Sequence, residues 1–182
     1  MGQRILTHTR LHHNCEPHYL WDPDQSACHQ ATILDPQSKI MDSANDAISK
    51  ADLVYLACPP AVREPYALAA AAGKALFLEK PFGVNLDDSA RLMIRLQAFD
   101  VPVAVNFTQA SGATLTDLLA AKERGEMGAL LGVDIIVTYP AWPRQWQKGA
   151  DWLRFRAEGG MTREVISHFL FFTERVLGPL SL

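Results

Sequence analysis

The chain has 182 residues, enough for one good core or two small domains. With 48% hydrophobic and 20% charged residues it has the composition of a globular protein, and its net charge of −3 gives no electrostatic case for nucleic acid or an anionic membrane as partner. No apolar run approaches the ~20 residues that span a bilayer, and the odd trio Cys15, Cys28 and Cys58, without CxxC spacing, argues against a disulfide framework or a structural zinc site.

The N-terminus, MGQRILTHTR, lacks the apolar core and cleavage site of a secretory leader, so a cytoplasmic protein with reduced thiols is expected. Residues 3–14 read as a helix. On it His8 and His12 stand four apart, as surface histidines or as a metal pair lacking a third ligand at zinc spacing; no metal is expected. His18 to Trp21 reads as a strand ending at Asp22, and a helix opening with Pro23 follows. Lys39 to Met41 is a short strand and Asp52 to Cys58 a longer one. Pro60 near the start and Gly73 just past the end bracket the next helix. Residues 75–79 form a buried strand, 86–99 a helix and Val101 to Val105 another strand.

Strands alternating with helices over short connections predict a doubly wound, mostly parallel α/β sheet of Rossmann type. After Asn106 the pattern changes to a helix over 113–124 that stops at Gly125, a long strand in LLGVDIIVTYP, a Trp-rich loop and a helix over about 160–177. The expected division is a dinucleotide-binding domain over 1–108 and the start of a C-terminal α/β domain over 109–182. A doubly wound domain opens with a strand and this chain opens with a helix, so the first strand reads as missing and the chain as clipped at both ends.

Four stretches carry chemistry. Gly2 and Asp22 stand at the interval of the last glycine and the ribose-binding acid of a dinucleotide fingerprint, whose first two glycines are absent. An acid at Asp22 favours NAD over NADP; alternatively Asp22 only caps the next helix. Pro59 and Pro60 end the central strand as a wall beside a cofactor or as a plain turn. Glu79-Lys80-Pro81 puts a mobile ammonium at the C-terminal end of a strand, where it can bond a substrate hydroxyl or a nicotinamide carboxamide and steady a developing alkoxide. Its plain alternative is a surface ion pair. In EGGMTREVISHFLFF (158–172) Glu164 and His168 are four apart, so the carboxylate can orient the imidazole and raise its basicity for general-base work, or form an ordinary surface pair.

Taken in order, the strand ending in Asp22, ADLVYLACPP, AAGKALFLEKP, the glycine turn and the helix with an acid four residues before a histidine resemble the glucose–fructose oxidoreductase/inositol dehydrogenase (Gfo/Idh/MocA) family. The resemblance implies an N-terminal Rossmann domain, a C-terminal α/β domain with a large open sheet, and hydride transfer between NAD, less readily NADP, and a carbinol of a sugar, cyclitol or related small molecule. It implies Lys80 and His168 as catalytic residues, Gly2, Asp22, Pro59, Glu79 and Lys80 as cofactor contacts, and Glu164 and Trp152 as substrate contacts. A small-molecule substrate is then expected, with no nucleic acid and no membrane, and a homo-oligomer in the full-length form. The chain departs from the family pattern at Glu164, where aspartate is usual, at Arg63, where histidine is common, and in NFTQA (106–110), which lacks an arginine. Trp142, Trp146 and Trp152 form a substrate wall or pack as core aromatics. The alternative to an enzyme is a non-catalytic binding module that keeps the fold.

Overall fold

The structure is a computed structural model that describes residues 1–147 and 149–181, without the Trp146 side chain. Its elements in chain order are α1 (Gly2–Thr9), β1 (Tyr19–Leu20), α2 (Gln25–Leu34), β2 (Lys39–Ile40), α3 (Ala44–Lys50), β3 (Leu53–Leu56), α4 (Glu64–Ala71), β4 (Ala75–Glu79), α5 (Leu86–Gln97), β5 (Val103–Asn106), α6 (Ala113–Glu123) and α7 (Ser167–Leu177). The chain divides into two compact units. The first holds Met1–Glu79 and Asn85–Val105, the second Lys80–Val84 and Asn106–Leu182.

The first unit is the expected Rossmann-like α/β fold. Its strands form two ladders, β1 with β2 in parallel and the order β3-β4-β5 with β3 and β4 parallel. Strand β4 is central and carries the core, with Leu76 at 2% and Leu78 at 0% exposure. Burying each such leucine is worth about 1.5–3 kcal/mol. Helix α4 contributes Ala67, Ala70 and Ala71, all sealed from water, and these small side chains let its backbone lie close to β4. Helix α5 is capped by Asn85, whose side chain accepts from the amides of Asp87 (2.8 Å) and Asp88 (3.1 Å), and it buries Leu92 and Leu96, four apart on one face.

Several expected boundaries move. Helix α1 ends at Thr9, so His12 lies beyond it and the His8–His12 pairing on one helix face does not form. Among the described residues no three metal-ligating side chains gather. Helix α2 opens on Asp24, which accepts from the Ser26 amide at 2.8 Å, rather than on Pro23. Helix α3 was not anticipated. Its signal is Ser43-Ala44-Asn45-Asp46, where Ser43 Oγ accepts from the Asp46 amide (3.1 Å) and donates to the Asp46 carboxylate (2.6 Å), a reciprocal cap.

In the second unit α6 and α7 pack together, and Lys122 Nζ at the end of α6 donates to Val176 O at 2.7 Å near the end of α7. The long strand expected in LLGVDIIVTYP does not form. Its residues join no ladder among the described residues, and Leu131 and Ile136 are 98% and 86% exposed. β-branched composition favours a strand only where another strand takes up its backbone N–H and C=O groups. The terminal helix begins as a π-helical turn, Thr162–Ile166, and continues as α7. Among the described residues no helix is long and apolar enough to cross a membrane.

Candidate functional site

In the first unit Asp22, Pro59 and Glu79, expected to meet a dinucleotide, lie at or just past strand ends, and Gly2 opens α1. Asp22 follows β1 as an exposed side chain, and its Oδ1 accepts the Asp24 amide at 2.9 Å. The cap of α2 belongs to Asp24, so the capping alternative for Asp22 does not hold. Gly2 is the first residue of α1, and a Cβ added there would stand 3.5 Å from the Ala57 Cβ just past β3. That is an ordinary contact, so alanine fits and close packing does not demand glycine at this position. Pro59 is exposed at the end of β3 and leads into a short 3₁₀ turn, Pro60–Val62.

Where β3 and β4 end, a buried polar knot joins them. Arg63 is 1% exposed; its guanidinium donates to the Glu79 carbonyl (2.5 Å) and the Cys58 carbonyl (2.9 Å). The Tyr55 hydroxyl donates to Glu79 Oε1 at 2.5 Å. Burial, then the hydrogen bond to Glu79, pushes the Tyr55 hydroxyl far above the ordinary phenol range, so it stays a donor. Burial also lowers the Arg63 guanidinium from its usual value, with Cys58 and Glu79 opposing the shift. Glu79 thus turns inward at 3% exposure and ties strand ends together. The sequence marked Arg63 only as a departure, and no spacing signals that a buried arginine will serve two carbonyls.

The next residue begins the second unit's cluster. Lys80, 8% exposed and joined to Pro81 by a cis peptide, pairs its Nζ with Glu164 Oε2 and donates to Glu164 O at 2.7 Å. The alternative of a surface Glu79–Lys80 pair fails, because both residues are buried and Lys80 pairs with Glu164 instead. A π turn moves backbone hydrogen bonding from i+4 to i+5, and here a carbonyl of that turn takes a bond from a lysine.

The expected support of His168 by Glu164 is not what forms. The π turn alters the rotation between them, and the carboxylate is divided between Lys80, whose Nζ meets Oε2, and the amide of Gln147, whose Nε2 donates to Oε1 at 2.8 Å. His168 is 8% exposed, and its Nδ1 is buried without a hydrogen-bond partner among the described residues. Its ring stands edge-on to Phe107 at 5.7 Å, and Phe107 stacks on Phe171 at 4.5 Å. Burial first, then the charges of Lys80 and Arg144, lower its pKa from 6.5 to about 4. His168 is therefore a neutral imidazole at neutral pH, held so by desolvation and cations rather than made more basic by a carboxylate.

Trp152 lies in a 3₁₀ turn, Asp151–Arg154, and packs over the glycine turn: a Cβ on Gly159 would stand 3.1 Å from the Trp152 ring and 3.2 Å from the Leu153 Cα. Its ring explains Gly159, while Gly160 takes φ +67°, the left-handed region that favours glycine. Trp142 lies with Tyr139 beside the Arg144 guanidinium, and the Trp146 side chain falls outside the described residues. Gln147 and Arg144 had no signature; nothing in local sequence marks a glutamine in an irregular loop as buried.

No family model and no curated protein matches the sequence. Solved structures do match. The WlbA dehydrogenase from Bordetella pertussis, in complex with NADH and UDP-GlcNAcA, is 22% identical over 98% of this chain and 54% of its own, with a TM-score of 0.80. Myo-inositol 2-dehydrogenase from Lactobacillus plantarum is 13% identical over 97% of this chain and 53% of its own, at 0.77. Myo-inositol dehydrogenase from Lactobacillus casei, in complex with NAD(H) and myo-inositol, is 20% identical over 71% of this chain and 40% of its own, at 0.64. The chain thus spans about half the length of these structures or less, and the fold it shares is one used by NAD(H)-binding dehydrogenases.

Proposed function

We propose that the chain carries the cofactor-binding and proton-handling parts of an NAD-dependent dehydrogenase of the Gfo/Idh/MocA family, acting on a carbinol of a sugar, cyclitol or related small molecule. The observation that carries this reading is the buried Lys80–Glu164 pair with a neutral His168 that feels the lysine's charge. Burying a lysine, a glutamate and a histidine with an unpartnered nitrogen together costs free energy, and such clusters concentrate at functional sites. The shared fold supports it, since the structures named above are dehydrogenases.

The first unit fits the adenosine half of NAD. Asp22 offers an exposed carboxylate at a strand's C-terminal end, suited to a ribose hydroxyl and repellent to a 2′-phosphate. Gly2 at the start of α1 and Pro59 after β3 complete that side, and Glu79 acts by keeping β3 and β4 joined. When bound, NAD supplies the hydride acceptor. His168 takes the substrate hydroxyl proton as general base, which a neutral imidazole can do. Lys80 donates to the same oxygen and stabilises negative charge as it develops there. Glu164 keeps the ammonium aimed, and Trp152 bounds the substrate. Residues 1–108 then serve the cofactor and 109–182 the substrate.

The test is NADH formation from NAD with a panel of cyclitols and hexoses, including myo-inositol, comparing the native chain with His168→Gln. Loss of the base lowers turnover on the order of 10²–10⁴-fold. An active native chain whose His168→Gln variant keeps the same rate removes His168 from the chemistry.

A further inference from the structure

We propose that Gln147 is a positioning residue that fixes which oxygen of Glu164 meets Lys80; this rests on the reading of Lys80 and Glu164 as the active-site pair. Gln147 is 2% exposed at the end of a 3₁₀ turn, Gln145–Gln147. Its Oε1 accepts two N–H groups of Arg144, the backbone amide at 3.1 Å and Nε at 2.9 Å. With the carbonyl oxygen claimed by two donors, the amide has one orientation, and its NH₂ must face the other way. There Nε2 donates to Glu164 Oε1 at 2.8 Å. Oε2 is left for Lys80.

Arg144 is itself held. Its guanidinium lies over the Tyr139 ring at 5.0 Å and the Trp142 ring at 5.9 Å, distances at which cation–π attraction acts. Its Nη2 stands 3.7 Å from Glu164 Oε1. The aromatic loop therefore reaches Lys80 through Arg144, Gln147 and Glu164 in turn. A buried carboxylate that met only the lysine could rotate about its terminal torsion and carry the ammonium with it. A donor fixed on the second oxygen removes that freedom, and pre-set geometry is what a charge-stabilising group needs. If Gln147 merely filled space, its amide could face either way without consequence for Lys80.

The experiment reads Lys80 directly and needs no substrate. Pulses of acetic anhydride are applied across about pH 7 to 10, and acetylation of Lys80 is measured by peptide mass spectrometry, with the exposed Lys39 and Lys50 as internal controls. Glu164→Gln should speed Lys80 labelling most, because the paired carboxylate is gone. Gln147→Met, equal in shape but without hydrogen bonds, should speed it at least about threefold while Lys39 and Lys50 keep their native rates. Native-like Lys80 labelling in Gln147→Met beside a fast Glu164→Gln overturns the proposal, and so does Glu164→Gln labelling no faster than the native chain. If Gln147→Met unfolds, which loss of far-ultraviolet circular dichroism reports, Arg144→Met decides: the Arg144 side chain is 30% exposed and its loss is tolerable. A selective rise at Lys80 then supports the link, and an unchanged rate overturns it. Failure to bind NADH would instead count against the dehydrogenase reading and leave this result standing.

Discussion

A lysine, a glutamate and a histidine share one interior in the second unit, and each changes what the others can be. Taking two charges from water costs several kcal/mol per ion, offset only by close pairing and further hydrogen bonds. The Lys80 bond to the Glu164 carbonyl and the Gln147 bond to the Glu164 carboxylate are such bonds. His168 pays from the other side, since protonation would add a third ionic group where burial and two cations oppose it. Its folded pKa of about 4 lies below the ordinary 6.5, so between those values the unfolded chain binds more protons than the folded one. Stability from this residue is complete above about pH 6.5 and lost as pH falls toward 4. Urea melts at a series of pH values should show stability falling through that window, and His168→Gln should flatten the fall; an equally steep acid limb in the variant would place its cause elsewhere. The spacing of Glu164 and His168 was legible in the sequence. What they bond was not, because a π turn intervenes and because Gln147 and Arg144 come from a loop without periodicity.

Among elements, β4 does the most. It lies between β3 and β5, buries Leu76 and Leu78, and ends at Glu79, whose carboxylate accepts from the Tyr55 hydroxyl. Leu78 is fully sealed, so Leu78→Ala should cost about 2–5 kcal/mol in a denaturant melt. A loss below about 1 kcal/mol would mean that the strand does not carry the core. This strand was readable from Ala75-Leu76-Phe77-Leu78 because an apolar run between a turn and a charged break has few other solutions. The helix ends were legible where a cap or a glycine states them, as at Asn85 and Gly125, and α3 could have been read from Ser43 and Asp46. The strand expected at 130–140 failed for a reason local sequence does not contain: pairing is a property of two segments.

At the scale of the molecule, the first unit's parallel ladders with their helices form a Rossmann-like α/β framework, and that class was legible from alternation alone. The order of the strands is not a property of local pattern, and the buried Arg63 that joins two strand ends shows how much of a site's rigidity escapes it. In the proposed function the first unit binds NAD, with Asp22 choosing it over NADP. Its most direct test is a calorimetric titration of the native chain with NADH and, separately, NADPH. Saturable binding of NADH is expected, with NADPH weaker by at least about tenfold because its 2′-phosphate meets the Asp22 carboxylate. Equal affinities would contradict the role of Asp22, and no saturable binding of NADH would contradict the dehydrogenase reading itself.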